Sequence, residues 1–153
     1  MPREKLRAEA EEAVRLQIEQ AKPLRPRTIL LFGSYATGNF TQGSDIDLCV
    51  IADGMPEDEL ARRTLPDLQR VPKVRVIGFG PEEFLEYLKD LRFLAFDIVA
   101  DGVVAYDDGL YGKIRETYEE MIRKHGITRL RHGWSASRRS LSGSKSSNVA
   151  FRA

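Results

Sequence analysis

Residues 28–51 read TILLFGSYATGNFTQGSDIDLCVI. Thr28 to Phe32 is apolar or β-branched throughout and stops at Gly33, the pattern of a short buried strand. The second run alternates: Asp45, Asp47, Cys49 and Ile51 fall on one face of a strand, and Ile46, Leu48 and Val50 on the other. Between them lies a loop that pivots on Gly33, Gly38 and Gly43, with a helical turn expected over residues 34–39.

Two carboxylates two residues apart on a strand project the same way. Like unit charges about 4 Å apart repel by roughly 4 kcal/mol at an effective dielectric near 20. Asp45 and Asp47 therefore call for a positive partner, and Mg²⁺ is the natural one, because it takes carboxylate oxygens together with substrate phosphates. Gly33 lets the backbone approach a ligand closely, and Ser34 offers a hydroxyl and an N–H. If a helical turn starts there, its free N–H groups point at an anion. A metal beside a phosphate cradle is the equipment of phosphoryl or nucleotidyl transfer. The plainer reading is a hairpin-like turn with a solvated acidic strand end, in which Thr41 and Ser44 satisfy turn backbone groups.

Gly33-Ser34, then ten residues, then Asp45-Ile46-Asp47 resembles the signature of the DNA polymerase β-like nucleotidyltransferase superfamily, and the small size is similar to its minimal branch in bacteria and archaea. The resemblance implies an α/β (α+β) fold, with a small mixed β-sheet of about four strands flanked by helices. It implies transfer of a nucleoside monophosphate from an NTP to an acceptor with Mg²⁺, Asp45 and Asp47 being catalytic and metal-binding. Gly33 and Ser34 would hold the β,γ-phosphates, and Ser44 joins them as a nucleotide-binding candidate.

The chain departs from the family in two places. Members often carry an arginine in the segment that here reads SYATG, where Tyr35 and Thr37 stand instead. They also place a third metal-binding acid on the strand that reads KVRVIGF here, at the position of Arg75. That acid can also serve as the base for the nucleophile's proton. Arg75 would repel Mg²⁺ and is a possible metal substitute, ion-pairing with Asp45 and Asp47. Alternatively another acid such as Asp97 approaches the site. Minimal nucleotidyltransferases are often paired with a small helical protein, in toxin–antitoxin fashion. A catalytically impaired binding module of that kind is the alternative function.

The length of 153 residues suits one domain, expected over 1–134, followed by a basic, Ser/Arg-rich, flexible tail over 135–153. The net charge is +1, yet from Ile127 onward there are six Lys/Arg and no acid. Nucleic-acid binding through that tail is a second alternative, less favoured than a solvated extension. One cysteine, Cys49, excludes an internal disulfide framework, and the expected compartment is the reducing cytoplasm. No apolar run approaches a membrane span, and the charged N-terminus does not read as a secretory signal.

The remaining elements follow from periodicity. Residues 3–21 form a helix with the apolar stripe Leu6, Ala10, Ala13, Val14 and Ile18, which reads as core or as the contact surface for a small helical partner; a homo-oligomer is a separate expectation. Pro56 to Thr64 reads as a helix, 73–79 as the third strand, Pro81 to Leu91 and Leu91 to Asp101 as helices. Val103 to Tyr106 reads as a short fourth strand, Asp107-Asp108-Gly109 as a turn, and Leu110 to His125 as the last helix, with Gly126 past its end. Asp97 reads as a helix-surface acid, and Trp134 as packing back on the domain.

Overall fold

The computed structural model describes residues 2–137 and 148–151. Its first helix, α1 (Arg3–Ala21), runs as far as the apolar stripe does, and a single tight turn at Lys22–Leu24 ends it where Pro23 forbids continuation. Strand β1 (Pro26–Phe32) leads into the four-residue helix α2 (Ser34–Thr37), and β2 (Ile46–Ala52) follows. The strands pair antiparallel, Phe32 opposite Asp47 and Leu30 opposite Cys49.

A connector returns the chain to the sheet through helix α3 (Glu59–Thr64). It starts three residues later than the expected Pro56, because the Asp58 side chain accepts the Ala61 N–H at 2.9 Å and so fixes the N-terminus. Strand β3 (Val74–Phe79) then pairs parallel with β2, as a crossover allows, putting Arg75 opposite Asp47. Its outer edge is partly covered by Gln69, whose side chain donates to the Val76 carbonyl at 2.9 Å and accepts from the Val76 N–H at 3.4 Å. Helices α4 (Pro81–Lys89) and α5 (Phe93–Asp101) precede β4 (Val103–Asp107), and α6 (Tyr111–His125) follows. The order β3-β2-β1-β4 makes a four-stranded mixed sheet flanked by helices, the expected α/β fold.

The alternation in β2 divides the interior in two. Leu30, Cys49, Ile51 and Phe79 face α4, α5 and α6. Ile29, Leu48, Val50 and Val76 face α1 and the connector. Each fully buried aliphatic or aromatic side chain contributes about 1.5–3 kcal/mol. The Gln17 amide lies among them, fully buried on α1, with neither polar atom hydrogen-bonded among the described residues.

A second, three-stranded sheet was not anticipated. Gly126 closes α6 in the left-handed conformation at φ +59°, and β5 (Ile127–Leu130) and β6 (Gly133–Ser137) form a hairpin whose second strand pairs with β7 (Asn148–Phe151). β6 thus runs to Ser137 and β7 lies within the expected tail, while the other residues of that tail lie outside the described ones. Trp134 packs inward on Phe93 and Phe96. Asp97 is not a free surface acid: it accepts the Trp134 Nε1–H at 2.7 Å and, with Asp101, holds Arg129. The Asp107 carboxylate likewise does more than form a turn, accepting from Thr28 Oγ1 and from the Tyr111 N–H, both at 2.9 Å. Among the described residues no helix is long and apolar enough to cross a membrane.

Candidate active site

The end of β1, the glycine loop and the start of β2 meet at one corner of the sheet. Gly33 is held at φ +75°, and a Cβ there would stand 2.5 Å from Asp47 Oδ2. Only glycine therefore satisfies both the backbone conformation and the close approach to the aspartate. Its carbonyl accepts the N–H groups of Ala36 and Thr37 at 3.1 Å, which starts α2 with Ser34 at its first position.

Long-range contacts fix the loop beyond Ser34. Tyr35 is buried and stacked on Phe40 with ring centroids 4.3 Å apart. The Arg3 guanidinium lies over the Phe40 ring and donates to the carbonyls of Gly38 and Phe40 at 2.6 and 3.2 Å. Lys73 holds the other side: its ammonium donates to the Gln42 carbonyl at 2.6 Å, and its own carbonyl accepts the Ile46 N–H at 2.7 Å. Lys73 takes a φ of +68°, which a non-glycine residue adopts only when its surroundings demand it. Arg3 and Lys73 are positioning residues that no local pattern marks. Ser44 serves the same loop, its Oγ accepting the Thr41 N–H at 2.8 Å.

The charged centre is a triad. Arg75 Nε lies 3.0 Å from Asp47 Oδ1 and 3.4 Å from Asp45 Oδ2, so one guanidinium answers both carboxylates. The hydrogen bond to Asp47, with the charges of both aspartates, raises the Arg75 pKa further above its ordinary value. The Arg75 side chain is 68% exposed and that of Asp47 only 17%, so the acid is built into the fold and the base lies over it from solvent. Among the described residues there is no group of three or more His, Cys, Asp or Glu able to share a metal ion. Asp97 lines a cavity of about 430 Å³ with Phe32 and Gly33, but its oxygen is engaged by Trp134.

A family model for the nucleotidyltransferase domain matches residues 12–126, which include the whole of this corner. The chain belongs to the nucleotidyltransferase domain family. Within that domain the matched region ends at the glycine that closes α6, before the β5–β6 hairpin. A comparison with curated proteins finds no match. Among solved structures, the chain is similar to a candidate nucleotidyltransferase from Sulfolobus solfataricus, at 20% identity and a TM-score of 0.49, covering 67% of this chain and 84% of that one. It is also similar to a toxin–antitoxin structure with AMP-PNP, at 20% identity and a TM-score of 0.48, covering 74% of this chain and 84% of that one. Neither likeness is close enough to say what this nucleotidyltransferase domain acts on.

Proposed function

We propose that the chain is a nucleotidyltransferase that takes a nucleoside triphosphate at the Gly33–Ser34 loop and the Asp45/Asp47 pair, and passes its nucleoside monophosphate to an acceptor hydroxyl. The observation that supports this reading is the packing of Gly33 against Asp47, which brings the loop that would receive the phosphates directly beside a largely buried carboxylate. Asp45 and Asp47 suit one Mg²⁺, an ion that takes one or two carboxylates and completes its shell with phosphate oxygens and water. Bound there, magnesium would offset the charge of the phosphates during attack on the α-phosphorus.

The chain's own groups do the rest. Ser34 donates to the phosphates, and Asp47 keeps its position because Gly33 and β3 flank it. Arg75 is the residue that must respond. An ion pair this open is worth only about 0.2–1 kcal/mol. A triphosphate offers its guanidinium a two-pronged partner, which is stronger. Arg75 then leaves the aspartates, follows the phosphates and steadies the departing pyrophosphate.

One observation favours a second reading. Arg75 stands between the aspartates, where a cation would bind, and a guanidinium that stayed there would make the domain a binding module. An antitoxin-like partner of a small helical protein is the form this would take. Calorimetric titration with ATP, CTP, GTP and UTP, with and without Mg²⁺, separates the two. Metal-dependent binding by the wild type, lost in Asp47→Asn with the fold intact, supports the transferase. Binding by Arg75→Asp but not by the wild type supports the binding module.

A further inference from the structure

Along α1 the residues Leu6, Ala10, Val14 and Ile18 recur at every fourth position. Beside them runs a second row, Arg7, Glu11, Arg15 and Glu19, whose charges alternate in sign. Leu6 and Ala10 are buried, but Val14 and Ile18 are only partly so. They form one wall of a groove of about 470 Å³ with Leu31 of β1 and Val103 and Ala105 of β4. Among the described residues β4 is an edge of the four-stranded sheet, bonded only to β1, and it leaves Val103 48% and Tyr106 37% exposed. An exposed apolar edge of this kind is a template for another chain.

The charges identify that chain. Among the described residues Glu11 has no cation partner, and Arg7 touches only the Phe40 ring, 5.2 Å from its centroid. Arg15 pairs with Glu12 and Glu19 with Lys22, open surface contacts that solvent screens and that a partner's charges can replace. A row of alternating charges, one helical turn apart, opposes itself when two copies lie parallel in register. When one copy is reversed about residue 13, every sign meets its opposite: Arg7 faces the second copy's Glu19, and Glu11 faces the second copy's Arg15. Self-complementarity across a two-fold axis is what an isologous dimer interface requires.

We propose that the groove between α1 and β4 is the interface for a second copy of this chain, with the two α1 helices antiparallel above the exposed edge strands. The inference stands independently of nucleotide chemistry.

Sedimentation of the full chain, from micromolar to near-millimolar concentration, tests it. The wild type is expected to form a dimer. Glu11→Arg, an exposed change that circular dichroism should show to be folded, sets two arginine pairs against each other by symmetry and weakens the dimer by at least about tenfold. Glu11→Arg combined with Arg15→Glu restores opposite signs and restores the dimer. A wild type that stays monomeric overturns the proposal, as does a dimer indifferent to Glu11→Arg. Failure of the double variant to recover dimerisation overturns it too.

Discussion

At Gly33 a single methyl group would have to share space with Asp47 Oδ2, on a backbone that L-residues avoid. Gly33→Ala should therefore lower stability by about 1–2 kcal/mol in a thermal melt and displace Asp47, weakening nucleotide binding in the same titration. Gln17 makes the opposite case. A buried amide without partners costs about 1–3 kcal/mol, so Gln17→Leu should raise the melting temperature, whereas an unchanged or lower value would refute the claim. At this scale the corner was legible because its residues are close in sequence: the glycine, the serine and both aspartates lie within fifteen positions. Arg75 was also found, because the family resemblance expects an acid at its position in KVRVIGF, and the structure sets it opposite Asp47. Arg3 and Lys73 were not, because each is more than thirty residues from the backbone carbonyl it holds and neither belongs to a motif.

Between elements, Glu83 of α4 is the main tie. It accepts from Arg62 and Arg63 of α3 at 2.9 and 2.7 Å, and from the Gly80 N–H at 3.0 Å. Burial pushes its pKa up, but the two guanidinium groups and the N–H outweigh burial and bring it down to about 2, from an ordinary 4.5. A carboxyl depressed in the folded state contributes stability above its unfolded value and loses it as pH falls through its folded value. Glu83→Gln should thus cost about 2 kcal/mol near neutral pH, and the gap between the two melts should close as pH drops from about 4.5 to about 2. The hairpin β5–β6 gives a second case at this scale. Trp134→Phe keeps the ring packing but leaves Asp97 without its indole donor, an expected loss of about 1 kcal/mol in chemical denaturation. The helices were readable from their spacing. This hairpin was not, because its strands are short and mostly polar, and among its described residues only Ile127, Trp134 and Ala136 reach the core.

For the molecule as a whole, the family match and the hydrophobic core do not end together. The match stops at residue 126, whereas Trp134 beyond it is packed on Phe93 and Phe96. A chain cut after Gly126 should expose both rings and bind a hydrophobic dye in its native buffer, and a cut chain that melts like the full one would contradict this. Cys49 gives a global probe. It is the only cysteine, sits on β2 in the interior, and burial raises its thiol pKa. Its labelling by a thiol reagent should wait for global unfolding, and its rate should follow denaturant as stability does. The fold class was legible from the order of strands and helices together with the family resemblance, since the order alone fits more than one architecture. The parallel pairing was legible only in part, since connector length allows a crossover without fixing which edge β3 joins.

The parallel register of β2 and β3 has an evolutionary consequence. Because Arg75 lies across from Asp47 on a strand whose backbone needs no adjustment, the difference between a two-acid and a three-acid corner is one side chain deep. An acid and an arginine at position 75 would therefore be alternatives on one scaffold. If the proposed catalyst and the proposed binder are related by descent, a single substitution would lead from one to the other without passing through a misfolded ancestor.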